Sequence, residues 1–394
     1  MLTVRDRVRP LVVLDTGLVF AGAERWEHVA APAPIVVPSG GARPALPLRS
    51  RTFVDDDGAV CLSAALPPAV RRGHLGVSVS RRVREVRVAG ADLLVWSLLR
   101  HLDGENDVAT VLGRLPDPDA GGRLLAELAG LGAVDVEPRP VGRFLHEITK
   151  RGGLPGDGLS PDDTARLVTD GEYRHYPGNE RTKLEATVSE ELAAFHALTR
   201  RRRSADAFAP GPIGLPTLGT LLHTACGVTG SVDIAGRELR LRAYPSAGAL
   251  YAVEVYPVVL DVAGLDPGVY HYLAFEESLE HLRPGSCRGA LLDSALPAQR
   301  SDIDGASVAF CLTGVFSRFE RKYGEGGYRI LAAEAGHLAQ NLILTATALG
   351  LGARPVGGFF DDLLNRMLGL DTGKEQFLLC VLLGQRGPAP GDGA

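Results

Sequence analysis

The chain has 394 residues, 45% of them hydrophobic and 23% charged, with a formal net charge of −5. That balance excludes a disordered or fibrous chain, and it leaves no global basic field of the kind that nucleic-acid binding uses. Since a single domain usually runs to roughly 100–200 residues, the length implies two or three domains.

Five cysteines, Cys61, Cys226, Cys287, Cys311 and Cys380, are widely spaced and form no CxxC pair. Neither a disulfide framework nor a metal site follows from them. The first twenty residues, MLTVRDRVRPLVVLDTGLVF, place charges inside their apolar run and make a poor signal peptide. No stretch reaches the about 20 apolar residues needed to span a bilayer. The expectation is a cytoplasmic protein with no membrane and no nucleic acid as partner.

In chain order, residues 1–80 are rich in Val, Leu, Arg, Pro and Gly, and runs such as RPLVVLDTGLVF and PIVVPSG suggest short strands. Residues 81–137 change pattern: VREVRVAG reads as a strand, followed by three helices in ADLLVWSLLRHLDG, DVATVLGRL and AGGRLLAELAGLGAVDVEP, the last running into a strand. This predicts a small winged-helix-like domain. Its third helix carries Arg123 and Glu127 and no basic stripe, so a partner other than DNA is expected. Residues 138–190, with turn formers and little periodicity, read as a linker.

From 191 to 387 the pattern is that of one larger α+β domain, and 388–394 form a tail expected to be disordered. VSEELAAFHALTRRRRS predicts a helix ending in Arg200–Arg203 and capped by Ser204. LPTLGTLLHTACGVTG predicts a second, with Pro216 at its start and Gly227 at its end. Strands follow in LRLRAY, YAVEVYPVVLD, the hairpin GVYHYLAFEESLEHL, ASVAFCLTGVF and FLLCVLLGQ. Between the last two, RFERKYGEGGYRILAAEAGHLAQN places Lys322 and Tyr323 in a glycine-rich turn ahead of a long helix that carries Glu334, His337, Gln340 and Asn341.

Five features could carry chemistry. Arginines and a serine hydroxyl at a helix end can hold a phosphate through charge-assisted hydrogen bonds, although a bare arginine run is more often a solvated face. The turn Pro245-Ser246-Ala247-Gly248 lets backbone approach a flat ligand, and Ser246 can donate to or accept from a ring edge. Gly357-Gly358 could be another approach point, and Arg386, after the final strand, could be a second phosphate partner. Lys322 and Tyr323 together suit a site where a proton is handled.

The set RRRSADAF, LLHTACGVTG, AYPSAGALYAVEVY, GVYHY, RKYGEGGYR, AGHLAQNLILTATALGLGARPVGGF and LLGQ, in this order over about residues 190–387, resembles the nitroreductase superfamily. Within it, the likeness is to SagB-type dehydrogenases, the FMN-dependent azoline oxidases of thiazole- and oxazole-containing peptide pathways. The resemblance implies an α+β homodimer with FMN at the subunit interface. It implies that Arg202, Arg203 and Ser204 contact the phosphate and ribityl, with Arg386 completing the phosphate site. Pro245, Ser246 and Gly248 would meet the isoalloxazine, and Gly357 and Gly358 would face its N5 edge. Lys322 and Tyr323 match the Lys-Tyr pair needed for catalysis in the azoline oxidases. Relatives commonly have a basic residue where this chain has Asp206, which cannot hold phosphate.

The 81–137 region resembles, more loosely, the leader-peptide recognition elements of such pathways. Together these resemblances imply oxidation of a peptide-borne thiazoline or oxazoline, RiPP biosynthesis, and a cyclodehydratase complex as partner. The alternatives are an NAD(P)H-dependent nitro- or quinone reductase and a flavin-free scaffold subunit.

Overall fold

The structure is a computed structural model. It describes residues 2–14, 19–21, 25–28, 44, 51–54, 60–73, 76–88, 93–102, 106–131, 133–134, 146, 149–150 and 178–387. The strand expected after the third helix lies largely outside these residues, as do most of the linker and the tail 388–394.

An N-terminal antiparallel sheet is built from β1 (Leu2–Leu14), β2 (Val19–Ala21), β3 (Arg25–His28), β4 (Arg51–Val54), β5 (Val60–Gly73) and β6 (Gly76–Val88). Its order is β2-β1-β6-β5-β4, with β3 added to β1. Frequent Pro and Gly suggest short strands, yet β1 and β6 pair from Leu2 opposite Val88 to Leu14 opposite Gly76. The prolines are absorbed by local irregularity: the β5–β6 register shifts between Leu66 and Ala69, where Pro67 and Pro68 supply no ladder N–H.

Three helices follow, α1 (Leu93–Leu99), α2 (Val108–Gly113) and α3 (Pro118–Gly130). Asp107 and Asp117 cap the second and third by accepting from Thr110 N at 2.7 Å and Ala120 N at 2.9 Å. Leu98, Val111, Leu125 and Leu128 share one core with Leu62, Val86 and Val88 of the sheet. The helices and the sheet end are therefore held together by common burial.

The larger unit begins with α4 (Glu190–Arg201), β7 (Phe208–Ala209), β8 (Ile213–Gly214), α5 (Leu215–Cys226) and the hairpin β9 (Val228–Ile234) to β10 (Arg237–Arg242). It continues through β11 (Val253–Val259), β12 (Val262–Ala263), β13 (Gly268–Leu273), β14 (Ser278–Pro284), α6 (Arg288–Ser294) and α7 (Arg300–Ile303). It ends with β15 (Val308–Val315), α8 (Phe316–Tyr323), α9 (Gly327–Ala348), β16 (Gly352–Val356), α10 (Asp361–Leu368) and β17 (Glu375–Arg386).

The main sheet runs β14-β13-β11-β15-β17-β16, with β7 pairing β17. Alternation along its strands divides the core into two layers. Phe310, Leu312, Val381 and Leu383 face α5 and α9, whereas Ala309, Cys311, Cys380 and Leu382 face α6 and α10. Each fully buried Leu or Phe contributes roughly 1.5–3 kcal/mol. The result is the expected α+β unit.

The 22-residue α9 buries Leu331, Ala335, Leu338, Leu342 and Ala346 in a three- and four-residue rhythm. It crosses one face of the sheet, and the candidate functional residues lie along it.

Candidate active site

Near the C-terminal end of α9, Thr347 borders a cavity of about 460 Å³. Arg203, Ser204 and Arg386 line it together, as the sequence implies, and so does Arg201. Arg202, the C-cap residue of α4, is not among the lining residues. The helix stops at Arg201, three residues before Ser204, and Arg203 donates from Nη1 to Arg200 O at 3.0 Å and Arg202 O at 2.7 Å. Asp206 also lines the cavity, so an acidic group stands beside the arginines. Arg354 braces this wall, donating to Ala205 O at 3.0 Å and pairing with Asp302 at 3.2 Å. Three guanidinium groups and a hydroxyl around one cavity are a donor set that fits a phosphate.

A second cavity, of about 730 Å³, is lined by Pro245 and Ser246 on one side and by Tyr323, Glu334 and His337 on the other. The turn beside it is unusual backbone. Gly248 has φ +61°, and the non-glycine residues Ala249 and Tyr251 have φ +51° and +45°. Such conformations persist only where surrounding bonds over-determine them. Here Tyr251 N donates to Ser246 Oγ at 2.9 Å, Arg318 Nη1 donates to Tyr251 O at 2.6 Å, and Tyr251 Oη accepts from Arg242 N at 2.7 Å. His337 Nδ1 lies 3.2 Å from Pro245 O.

Lys322 and Tyr323 occupy the last turn of α8, not a loop. Phe316 and Phe319, three residues apart, anchor that helix in the core, and Gly324 with φ +53° ends it. The pair is brought directly to the turn. A Cβ at Gly248 would strike Lys322 Nζ and lie 2.9 Å from Tyr323 Oη. Lys322 Nζ also sits 5.4 Å from the centre of the Tyr323 ring. The sequence-selected Gly248, Lys322 and Tyr323 thus form one cluster, and the absence of a side chain at 248 makes room for it.

Arg318, one helical turn before Lys322, also pairs with Glu254 at 2.5 Å. Glu254 in turn contacts His271 Nε2 at 3.2 Å. Burial pushes the Glu254 carboxyl up, but His271 and Arg318 outweigh it and hold it below the usual range. The bond to Glu254 raises His271. Glu334 is 1% exposed, and its Oε1 accepts from Val253 N at 2.9 Å. Burial raises its carboxyl, against the opposing effect of the Ser246 hydroxyl.

Gly357 lines a third cavity, of about 320 Å³, with Tyr328, Gly336 and Asp361. Its neighbour Gly358 is buried, and a Cβ there would collide with Gln299 at 2.5 Å. The pair therefore divides between a cavity wall and a packing contact. Part of the connection read as a linker reaches this cavity. His146 lies edge-on to Phe316 at 5.2 Å, and Lys150 pairs with Asp362 at 3.1 Å. Nothing in the turn-rich sequence of that segment signals the contact.

Among the described residues, no group of three His, Cys, Asp or Glu is placed to hold a metal, and no helix is long and apolar enough to cross a membrane. All five cysteines are buried, and none is in a disulfide.

The fold and site define an α+β protein with a basic, phosphate-fitting cavity and a separate Lys-Tyr cluster at a strained turn. Residues 199–385 match the nitroreductase family. The protein MJ1384 of Methanocaldococcus jannaschii, named as a nitroreductase, is 34% identical over 186 residues, covering 47% of this chain and 88% of that protein. The chain belongs to the nitroreductase family.

It is also similar to the trifolitoxin-processing protein TfxB of Rhizobium leguminosarum bv. trifolii, at 33% identity over 41% of this chain and 44% of that protein. The microcin B17-processing protein McbC of Escherichia coli is 32% identical over 33% of this chain and 49% of its own length. The chain thus spans less than half of either processing protein. A chain in the structure of the E. coli microcin synthetase McbBCD complex with truncated pro-MccB17 bound shares the fold. Its TM-score is 0.52 at 24% identity, over 63% of this chain and 92% of that one.

Proposed function

We propose that the protein is an FMN-dependent dehydrogenase that oxidises a peptide-borne thiazoline or oxazoline to the thiazole or oxazole in the biosynthesis of a modified ribosomal peptide. Family membership supports an oxidoreductase, and two similar proteins are named for processing a microcin and trifolitoxin. The observation that carries the finer reading is the packing of Lys322 Nζ and Tyr323 Oη against Gly248, within the Pro245–Gly248 turn.

Aromatising an azoline breaks two C–H bonds, one releasing hydride and the other a proton. Bound FMN supplies the two-electron acceptor. The protein's own share is to bind, orient and move the proton. Arg203, Ser204 and Arg386, with Arg201, hold the phosphate; Arg202 caps the helix that presents Arg201, Arg203 and Ser204, and β17 presents Arg386. Pro245, Ser246 and Gly248 border the ring, with Gly357 at a further edge and Gly358 fixing the turn. Lys322 and Tyr323 take the proton, a form of assistance typically worth about 10²–10⁴ in rate. Which of the two receives it is the first question for mutagenesis.

Within one chain, those of these residues that line a cavity divide among three: Arg201, Arg203, Ser204 and Arg386 on one, Pro245, Ser246 and Tyr323 on another, and Gly357 on a third. A homodimer in which each copy completes the other's site accounts for that division. The N-terminal sheet and three helices serve, on this reading, to dock the substrate peptide or a cyclodehydratase partner.

The test is purification and spectroscopy. A yellow protein whose Lys322→Ala form keeps the flavin spectrum and loses azole formation is the expected result. A protein that does not take up FMN, or a fully active Lys322→Ala, overturns the reading.

A further inference from the structure

We propose that Glu334 is a positioning residue whose proton decides whether the Ser246 hydroxyl donates or accepts a hydrogen bond at the edge of the bound ring. The proposal rests on the flavin reading above and deepens it, because it assigns a role to a residue that the family resemblance left unassigned.

Ser246 lines the cavity of about 730 Å³, and its Oγ already accepts from Tyr251 N at 2.9 Å. Glu334 lines the same cavity while being 1% exposed. Its Oε1 is committed to Val253 N at 2.9 Å, while its buried Oε2 has no partner in full hydrogen-bond geometry, with the Ser246 hydroxyl and the Ala252 N–H the donors that face the carboxyl. Ser246 is the hydroxyl that faces this carboxyl. An unmatched buried oxygen beside a rotatable hydroxyl, at the wall of a cavity, is a group with an unfinished hydrogen-bond role.

A serine hydroxyl has one hydrogen and two lone pairs. One lone pair is taken by Tyr251 N. When Glu334 is protonated, its acidic hydrogen goes to the second lone pair, and the serine hydrogen is left to point at the ligand. Once Glu334 ionises, it accepts the serine hydrogen, and only a lone pair remains for the ligand. The sense of the ligand contact therefore reverses with one proton. A ring edge that presents an acceptor atom prefers the protonated state.

The surroundings push the carboxyl upward. Burial raises the carboxyl and outweighs the charge of Arg242, which faces it from β10. Tyr244 faces it from the following segment. Tyr323 from α8, and Arg329 and His337 from α9, line the same cavity.

The experiment is a fluorescence titration of FMN into the flavin-free full-length protein from about pH 5 to about pH 8.5, a span covering a raised carboxyl. The phosphate of FMN titrates near about pH 6, so each curve is read against that of Glu334→Gln. In that variant the amide donates permanently to Ser246 and accepts from Val253 N.

One hydrogen bond should change affinity about two- to tenfold. The native protein is expected to lose that factor in one step as pH rises, while Glu334→Gln stays at the tight limit and Ser246→Ala stays weak, neither showing the extra step. Parallel native and Glu334→Gln curves with tight binding overturn this assignment alone, as does native affinity that rises with pH relative to the variant. Should Glu334→Gln fail to fold, a Ser246→Ala curve parallel to the native one overturns it equally. Absence of FMN binding at every pH overturns the flavin reading and this assignment with it.

Discussion

Replacing Gly248 with alanine tests the site at its tightest point. The residue has φ +61°, and an added Cβ would meet Lys322 Nζ and stand 2.9 Å from Tyr323 Oη. Left-handed backbone costs a residue with a Cβ roughly 1–2 kcal/mol, and the added methyl must displace the lysine and tyrosine ends as well. The lysine end is flexible and can swing aside, so the steric part falls on position more than on stability. A misplacement of about 1 Å can cost about 10²-fold in rate.

Gly248→Ala should therefore lose roughly 1–2 kcal/mol in urea unfolding, read from the midpoint at unchanged slope, and about 10²-fold in turnover. Gly336→Ala is the control, because it sits in the helix α9 and its Cβ would meet nothing within 4 Å. That change should leave stability level or raise it by up to about 1 kcal/mol. A Gly248→Ala protein as stable and as active as the native one would refute the argument that the empty position makes the cluster possible.

The arginine that braces the turn gives a second outcome. Arg318→Lys cannot reach both Tyr251 O and Glu254 with one point charge. With the exposure of the arginine taken into account, the loss should be about 1–2 kcal/mol, and turnover should fall with it; unchanged values would show that the turn holds without this brace. The Glu254–His271 pair gives a pH signature. His271 is raised in the folded state, so its contribution is complete below the unfolded histidine value near about 6.5 and is lost as pH rises through the folded value. Glu254 is lowered, so its contribution is present above the unfolded carboxylate value near about 4.3 and is lost as pH falls. The stability difference between native protein and His271→Gln should thus be largest between about pH 4.5 and 6.5 and shrink towards pH 8. A difference that is flat across this range contradicts the assigned pairing.

Much of the larger unit was legible because its signals are periodic. The stripe Leu331, Ala335, Leu338, Leu342 marks α9, and the continuous apolar runs of β15 and β17 mark strands buried on both faces. Arg386, distant in the chain from Arg203 and Ser204, does share their cavity. What escaped depends on rotation or tertiary contact. One residue's turn about the end of α4 puts Arg201 on the cavity wall and leaves Arg202 off it. The run Gly324-Glu325-Gly326-Gly327 reads as a loop, yet the Phe316 and Phe319 anchors carry α8 as far as Tyr323. Gly358 packs on Gln299, and the burial of Glu334 comes from β11 and the Ser246 turn, which no local pattern around 334 reveals. Long N-terminal strands were hidden by prolines that the sheet accommodates through a register shift.

The most direct measurement is the mass of an azoline-containing peptide incubated with the FMN-loaded protein and an electron acceptor. The account predicts a loss of two hydrogens per ring with native protein and none with Lys322→Ala that still carries its flavin. An unchanged azoline, in a protein whose flavin is instead rapidly reduced by NADPH and which reduces a nitroaromatic compound, would contradict it.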